Sequence, residues 1–245
     1  MKQHLKETGS TNAWLMELAR EKWREGVPLQ DLYAVYADFQ FAGRGAGTNR
    51  WHSTRGLNIL TSIYFETGLS AADQFVFNLW FATTTRQFLS RYLPAVLIKW
   101  PNDIFVNNCK LAGDLTEHNI SGNRLIFTVA GIGINVNETN FPEDIPNPTS
   151  LFLETGKRHD VDTLLNEYLA LLHERRALLD ASHAAELRND YMANLYRFNE
   201  PHPFLVGGQR ITGVIRDIDR FGRLILEHPD GGLHTYGFKE VAYEI

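Results

Sequence analysis

Apolar positions along this chain fall into blocks whose period alternates between helical and extended. After Gly9-Ser10-Thr11-Asn12, the residues Trp14, Leu15, Leu18, Ala19 and Trp23 share one face at helical spacing, and Ser10 or Thr11 is placed to cap the first turn. Residues 32–39 alternate and are β-rich, which predicts a strand, and residues 58–65 predict another. Ser70-x-x-Asp73 reads as a capping box that opens a helix carrying Phe75, Leu79 and Phe88. The apolar run 95–98 feeds Lys99-Trp100-Pro101-Asn102-Asp103, where proline should end a central strand near Trp100. Residues 104–106, a turn at Asn107-Asn108 and a return through Lys110 predict a hairpin. A strand over 125–129 should end in Gly131-Ile132-Gly133-Ile134-Asn135. Residues 140–148, with three prolines, should form a covering loop. Asp160 should cap a helix with Leu164, Leu165, Tyr168, Leu169 and Leu172 on one side, and a second helix is expected over 183–196. From residue 197 onward the pattern changes to short strands, with turns at 219–222 and 229–232.

This order predicts an α+β fold: a mixed sheet packed with helices over 1–196, followed by a small SH3-like β-barrel over 197–245. A chain of 245 residues with 44% hydrophobic and 22% charged residues can build such a core. The net charge of −5 argues against general nucleic-acid binding, while leaving room for a local cationic pocket. One cysteine, Cys109, excludes an internal disulfide and a cysteine zinc site, which fits a reducing cytoplasm. No signal-peptide core follows Met1, and no apolar run is long enough to suggest a membrane span.

Two stretches carry candidate chemistry. Residues 40–51 place Gly43, Gly45 and Gly47 among Gln40, Arg44, Arg50 and Trp51. Such a loop can bring backbone N–H groups to anionic oxygens, with guanidinium forks beside them and an indole face for a heterocycle. It is neither a Walker loop nor a Rossmann fingerprint, and a flexible surface loop is the competing reading. The hairpin would bring Asp103 and Lys110 onto neighbouring strands at the end of a third, or they are ordinary surface charges. Likewise, Ser10 and Thr11 are caps or pocket walls, and Asn135 is a turn residue unless it faces a ligand. Cys109 lacks a His–acid pair nearby in sequence and reads as a plain hairpin residue. The nine histidines form no metal-ligand spacing.

Four stretches, in order, make the chain resemble the biotin protein ligases: Ser10-Thr11-Asn12; Gln40 through Trp51-His52-Ser53; Lys99-Trp100-Pro101-Asn102-Asp103 with Lys110-Leu111-Ala112-Gly113; and Gly131-Ile132-Gly133-Ile134-Asn135. The two lysines of the third stretch stand eleven residues apart, as in that family, and the likeness runs through the C-terminal β module. The resemblance implies activation of biotin by ATP and Mg2+ to biotinoyl-AMP, then transfer to a lysine of a biotin carboxyl carrier domain. It implies catalytic roles for Arg44, Asp103 and Lys110. Biotin would meet Ser10, Thr11, Asn12, Gln40, Gly43, Arg44, Gly45, Ala46, Trp51, Lys110 and Gly113. ATP or the adenylate would meet Arg44, Arg50, Trp51, Asn58, Lys99, Asn102, Lys110 and Asn135. Asp103 would orient the incoming lysine, or alternatively bind Mg2+. A homodimer occurs in the family, and no membrane partner is implied.

Two departures qualify the likeness. The family often has a second arginine two residues after the first, where this chain has Ala46, so the loop is expected to retain its adenylate more loosely. The first motif begins at Ser10, so the expectation is a ligase without a preceding DNA-binding domain and without repressor function. The competing readings are a lipoate ligase of the same fold, a non-catalytic biotin-binding protein, and a nucleic-acid-binding C-terminal module. The last has its arginines offset by Asp217, Asp219, Glu227 and Asp230.

Overall fold

The first strand, Lys2–Leu5 (β1), leads into helix α1 (Thr11–Arg24) and then β2 (Ala34–Ala37), which lies parallel to β1. The structure, a computed structural model, describes residues 1–244; residue 245, the last of the expected C-terminal module, lies outside the described residues. Next come β3 (Ile59–Phe65), α2 (Gln74–Leu89), β4 (Leu97–Lys99), β5 (Asp103–Val106), β6 (Cys109–Ser121) and β7 (Arg124–Ile134). Helices α3 (Leu151–Thr155), α4 (Val161–Glu174) and α5 (Ala184–Ala193) follow. The last stretch folds as β8 (Pro201–Val206), β9 (Gln209–Ile218), β10 (Leu224–Glu227), β11 (Leu233–Tyr236) and β12 (Val241–Tyr243). These strands form a seven-stranded mixed sheet, in the order β1-β2-β3-β7-β6-β5-β4, and a five-stranded antiparallel sheet, β11-β10-β9-β8-β12.

Helices cover both faces of the large sheet. On one, Leu15, Met16 and Ala19 of α1 pack against Val35, Tyr64, Phe127 and Val129. On the other, α2 is buried around most of its circumference because α4 and α5 lie outside it. Its rings meet the sheet edge to face: Phe65 and Trp80 have centroids 5.4 Å apart at 82°. The buried hydroxyls of Thr83 and Thr84 are satisfied within α2, donating to Leu79 O at 2.8 Å and Trp80 O at 2.6 Å. The same core continues into the second sheet through Phe204, Ile215, Leu224, Leu226 and Val241. Among the described residues no helix is long and apolar enough to cross a membrane.

The structure corrects several expectations. The strand that ends at Lys99 lies at the sheet edge, not its centre, because β4 is three residues long and pairs only with β5 as a ladder. Its open side is met by the chain leaving α5: Ile98 N donates to Asn194 O at 2.9 Å and Tyr196 N to Ile98 O at 2.8 Å. β7 runs through its glycines to Ile134 with no bulge at them. Gly131 and Gly133 are paired on both sides, to Ser62 and Leu60 of β3 and to Leu115 and Gly113 of β6. Ser70 opens a 3-10 turn rather than α2, since its hydroxyl is spent on the Asp73 carboxylate at 2.6 Å instead of a backbone N–H. The second helix stops at Ala193. The expected small barrel is an open sheet: its outer strands, four and three residues long, are not paired to each other among the described residues.

Candidate active site

Hairpin chemistry sets the centre of the site. Asn107 and Asn108 both take positive φ, 48° and 64°, the geometry of a two-residue turn that matches strand twist. The turn folds β6 back on β5 so that Lys110 Nζ lies 2.6 Å from Asp103 Oδ1. Lys99, across from Asp103 in the β4–β5 register, has its Nζ 4.0 Å from Asp103 Oδ2. Burial holds Lys99 below the usual lysine range even with that carboxylate beside it. Asp103 and Lys110 are therefore a positioned pair, 20% and 31% exposed at the side chain, not loose surface charges.

The floor is sheet backbone stripped of side chains. Gly113 and Gly133 face each other across β6 and β7. A methyl at Gly133 would lie 2.2 Å from Trp51 Cε2, and one at Gly113 would lie 2.9 Å from Lys110 Cε. At Gly133 the indole occupies the space of a Cβ and glycine is required, whereas at Gly113 a Cβ would displace the end of the Lys110 side chain from its seat beside Asp103.

One wall is the glycine-rich loop, and it has internal order. Trp51 N donates to Gly43 O at 3.0 Å, Gly45 N donates to Asn49 O at 2.8 Å, and Arg44 and Arg50 form a bridge across it. Arg44 reaches back to Glu117 of β6, with two N–O distances of 3.2 Å. A second wall is the start of α1, brought alongside the loop because residues 8–9 run beside 39–42 in continuation of the β1–β2 pairing. Ser10 Oγ caps α1 as the sequence implies, and Gln40 Oε1 accepts from Thr11 N at 2.7 Å and from Thr11 Oγ1 at 3.0 Å. Asn12 donates from Nδ2 to Glu117.

The third wall comes from the second sheet, which the sequence did not place. Phe238, Lys239, Val241, Ala242 and Tyr243 line the same cavity of about 390 Å3 as Arg44, Trp51, Asp103 and Lys110. Lys99 Nζ lies 4.7 Å from the Tyr243 ring centroid. The segment 99–103 is gripped from behind: Trp100 Nε1 donates to Gly222 O at 2.8 Å and Tyr191 OH to Pro101 O at 3.0 Å.

Two buried polar atoms at this cavity have no protein partner, Asn12 Oδ1 and Trp51 Nε1. A native structure rarely leaves such groups unmet, so an acceptor and a donor stand ready for a ligand. Asp114, also in the lining, is held neutral: burial, with Asp103 close by, pushes it up to about 8.

Of the sequence-predicted residues, Ser10, Thr11, Asn12, Gln40, Arg44, Gly45, Ala46, Arg50, Trp51, Lys99, Asn102, Asp103, Lys110 and Gly113 all line this cavity. Gly43 lies just behind it, under the Trp51 backbone. Asn58 and Asn135 are exceptions. Asn58 Nδ2 donates to Glu138 at 3.0 Å while its Oδ1 accepts from Val136 N at 3.0 Å, and Asn135 Nδ2 donates to Thr149 O at 2.9 Å. Both amides are spent on the frame, and neither residue is part of the cavity wall. Asp103 also fits a metal poorly. Its oxygens face two ammonium groups, and among the described residues there is no cluster of three or more His, Cys, Asp or Glu that could hold an ion. Burial raises the Cys109 thiol, in keeping with a plain hairpin residue.

Sequence reasoning missed Glu117, Asp114 and Lys239. The period-2 face Gly113, Leu115, Glu117 could have flagged the first once Gly113 was placed toward the site.

Comparison with known proteins gives the same picture. Residues 8–135 match the model of the Biotin/lipoate A/B protein ligase family, and residues 204–240 match the Biotin protein ligase C terminal domain. A Biotin--[acetyl-CoA-carboxylase] ligase of Paracoccus denitrificans is 32% identical over 93% of this chain and 94% of its own. The Bifunctional ligase/repressor BirA of Escherichia coli is 29% identical over 89% of this chain, which spans 66% of that longer protein. Among solved structures, a mutant biotin protein ligase from Aquifex aeolicus in complex with biotin superposes with a TM-score of 0.75. It is 25% identical, covering 99% of this chain and 97% of that one.

Proposed function

The chain belongs to the biotin/lipoate A/B protein ligase family, and from that premise we propose that it is an ATP-dependent biotin protein ligase acting on the biotin carboxyl carrier domain of a carboxylase. The observation that carries this reading is the meeting of three things in one cavity. They are the Asp103–Lys110 hairpin, the glycine-rich loop with Trp51, and the unmatched donor and acceptor on Trp51 and Asn12.

In the first step a biotin carboxylate oxygen attacks the α-phosphorus of ATP, and the bond to pyrophosphate breaks. Two anions must be brought together, so fixed cations are needed where they meet. Lys110, aimed by Asp103, stands at that point, and Arg44 adds its guanidinium on exchanging Glu117 for a phosphate. Asn12 Oδ1 suits a ureido N–H of biotin. Trp51, packed closely against Gly133, takes the adenine side, with ATP entering as its Mg2+ complex. In the second step the Nζ of a carrier lysine attacks the acyl carbon, AMP leaves, and the nitrogen gives up its proton. A free lysine is only about one part in 2,500 neutral at pH 7, so orientation and proton removal both matter. Asp103 serves chiefly by positioning Lys110, with the incoming amine as its second client.

The domain boundary we assign falls at residues 196–197. Residues 194–196 still hydrogen-bond to Ile98 of the first sheet, and β8 begins at Pro201.

The test is ATP–pyrophosphate exchange. Exchange that requires biotin, is absent with lipoate, and is lost in Lys110→Ala supports the reading. Exchange with lipoate alone, or none with either acid, overturns it.

A further inference from the structure

Most cations of the cavity are already neutralised. Arg44 is paired with Glu117, Lys110 with Asp103, and Lys99 lies 4.0 Å from that same carboxylate. A nucleoside triphosphate brings several negative charges, and paired cations offer it little net attraction until they exchange partners. Two cavity residues have no carboxylate within 4.0 Å among the described residues: Arg50 of the glycine-rich loop, and Lys239 of the connection between β11 and β12.

Lys239 crosses from one sheet's territory to the other's. A methyl at Gly47 would lie 2.3 Å from its Nζ and 2.7 Å from its Cε, so the ammonium rests on the tip of the loop, one residue from Ala46. Its backbone holds φ of 71°, a region that suits glycine and is uncommon for lysine. A glycine would be the easier residue here, yet a long cationic side chain is present and points at the loop. The loop tip itself carries no charge between Arg44 and Arg50, and the Lys239 ammonium is the positive charge that rests against it.

We propose that Lys239, together with Arg50, binds the distal phosphates of ATP, the group that departs as pyrophosphate. Depth agrees with this: the Lys110–Asp103 pair is partly buried where the α-phosphate must react, whereas Lys239 is exposed at the mouth, where a leaving group escapes.

The inference rests on the ligase reading above, and its test separates the two. Lys239→Gly removes the charge while relieving the backbone, so the variant has no reason to misfold. Its expected effect is a rise of about three- to tenfold in both the KM for ATP and the inhibition constant of pyrophosphate, the range of one charge-assisted contact at a partly exposed site. The change should fall on KM rather than kcat, and biotin affinity should stay as it was. Lys239→Arg should keep the wild-type values, and Ala46→Arg placed in the Lys239→Gly background should recover much of the loss. Unchanged KM and pyrophosphate inhibition would overturn the proposal. So would equal weakening of ATP and biotin, which would mean the lysine merely props the loop. If wild type shows no exchange at all, the ligase reading fails by itself, and pyrophosphate binding to wild type against Lys239→Gly by calorimetry still decides the role of the lysine.

Discussion

Gly133 lies so close beneath Trp51 that the indole rests on bare backbone, and the same close approach at Gly113 seats the stem of Lys110. Gly133→Ala should therefore lift the indole and raise the KM for ATP more than the Kd for biotin; equal effects on both would contradict the assignment of Trp51 to the nucleotide side. Asp103→Asn keeps the shape of the side chain but loses the charge that holds Lys110. Biotin-dependent exchange should fall by about 10- to 100-fold with the fold intact by circular dichroism. Retained exchange with lost transfer from supplied biotinoyl-AMP would instead assign Asp103 to the second step alone. Asp114 predicts a pH effect. Its folded pKa of about 8 lies above the unfolded value near 3.8, so between those limits the folded protein holds a proton that the unfolded chain has lost. Stability should decline as pH rises from about 4 to 8, and Asp114→Asn should flatten that decline in urea titrations. Lys110, Trp51 and Arg44 could be named from the sequence through the resemblance of the four ordered stretches, since chemistry and spacing alone left a surface loop and ordinary surface charges as competing readings. Glu117 was not, because its partner Arg44 is 73 residues away and only the strand register joins them.

The hairpin of β5 and β6 was the most legible element, since an Asn-Asn pair between two β-rich runs has few other uses. Its turn makes a direct prediction. Asn108 at φ of 64° also accepts a hydrogen bond from Tyr196 OH at 2.8 Å. Asn108→Val should destabilise the protein by about 1–2 kcal/mol or more, through left-handed strain and the lost bond; chemical denaturation measures it. Helix α1 was legible at both its cap and its apolar face. The start of α2 was misread because a serine and an aspartate three residues apart can satisfy each other instead of the backbone. The position of β4 was hidden for a different reason. Sheet order depends on pairings between distant segments, and the apolar run before Lys99 looks the same at an edge covered by the chain after α5 as it would at the centre.

The two sheets share one core and one cavity, and that joint arrangement is what the sequence could not show. A β-rich tail is visible in the pattern, but its docking depends on contacts such as Trp100 to Gly222 and Arg188 to Asp217 that no periodicity encodes. With a continuous core from α2 to Val241, the chain should unfold in one cooperative transition, coincident by tryptophan fluorescence and far-ultraviolet circular dichroism. Two separated transitions would mean that the C-terminal sheet is an independent body. The most direct trial of the whole account is mass spectrometry of a biotin-acceptor domain incubated with the protein, ATP, Mg2+ and biotin, beside a reaction with lipoate. The account predicts a biotin-sized mass gain on one lysine that requires ATP and vanishes in Lys110→Ala. A gain with lipoate and none with biotin would contradict the substrate, and no gain with either would contradict the ligase itself.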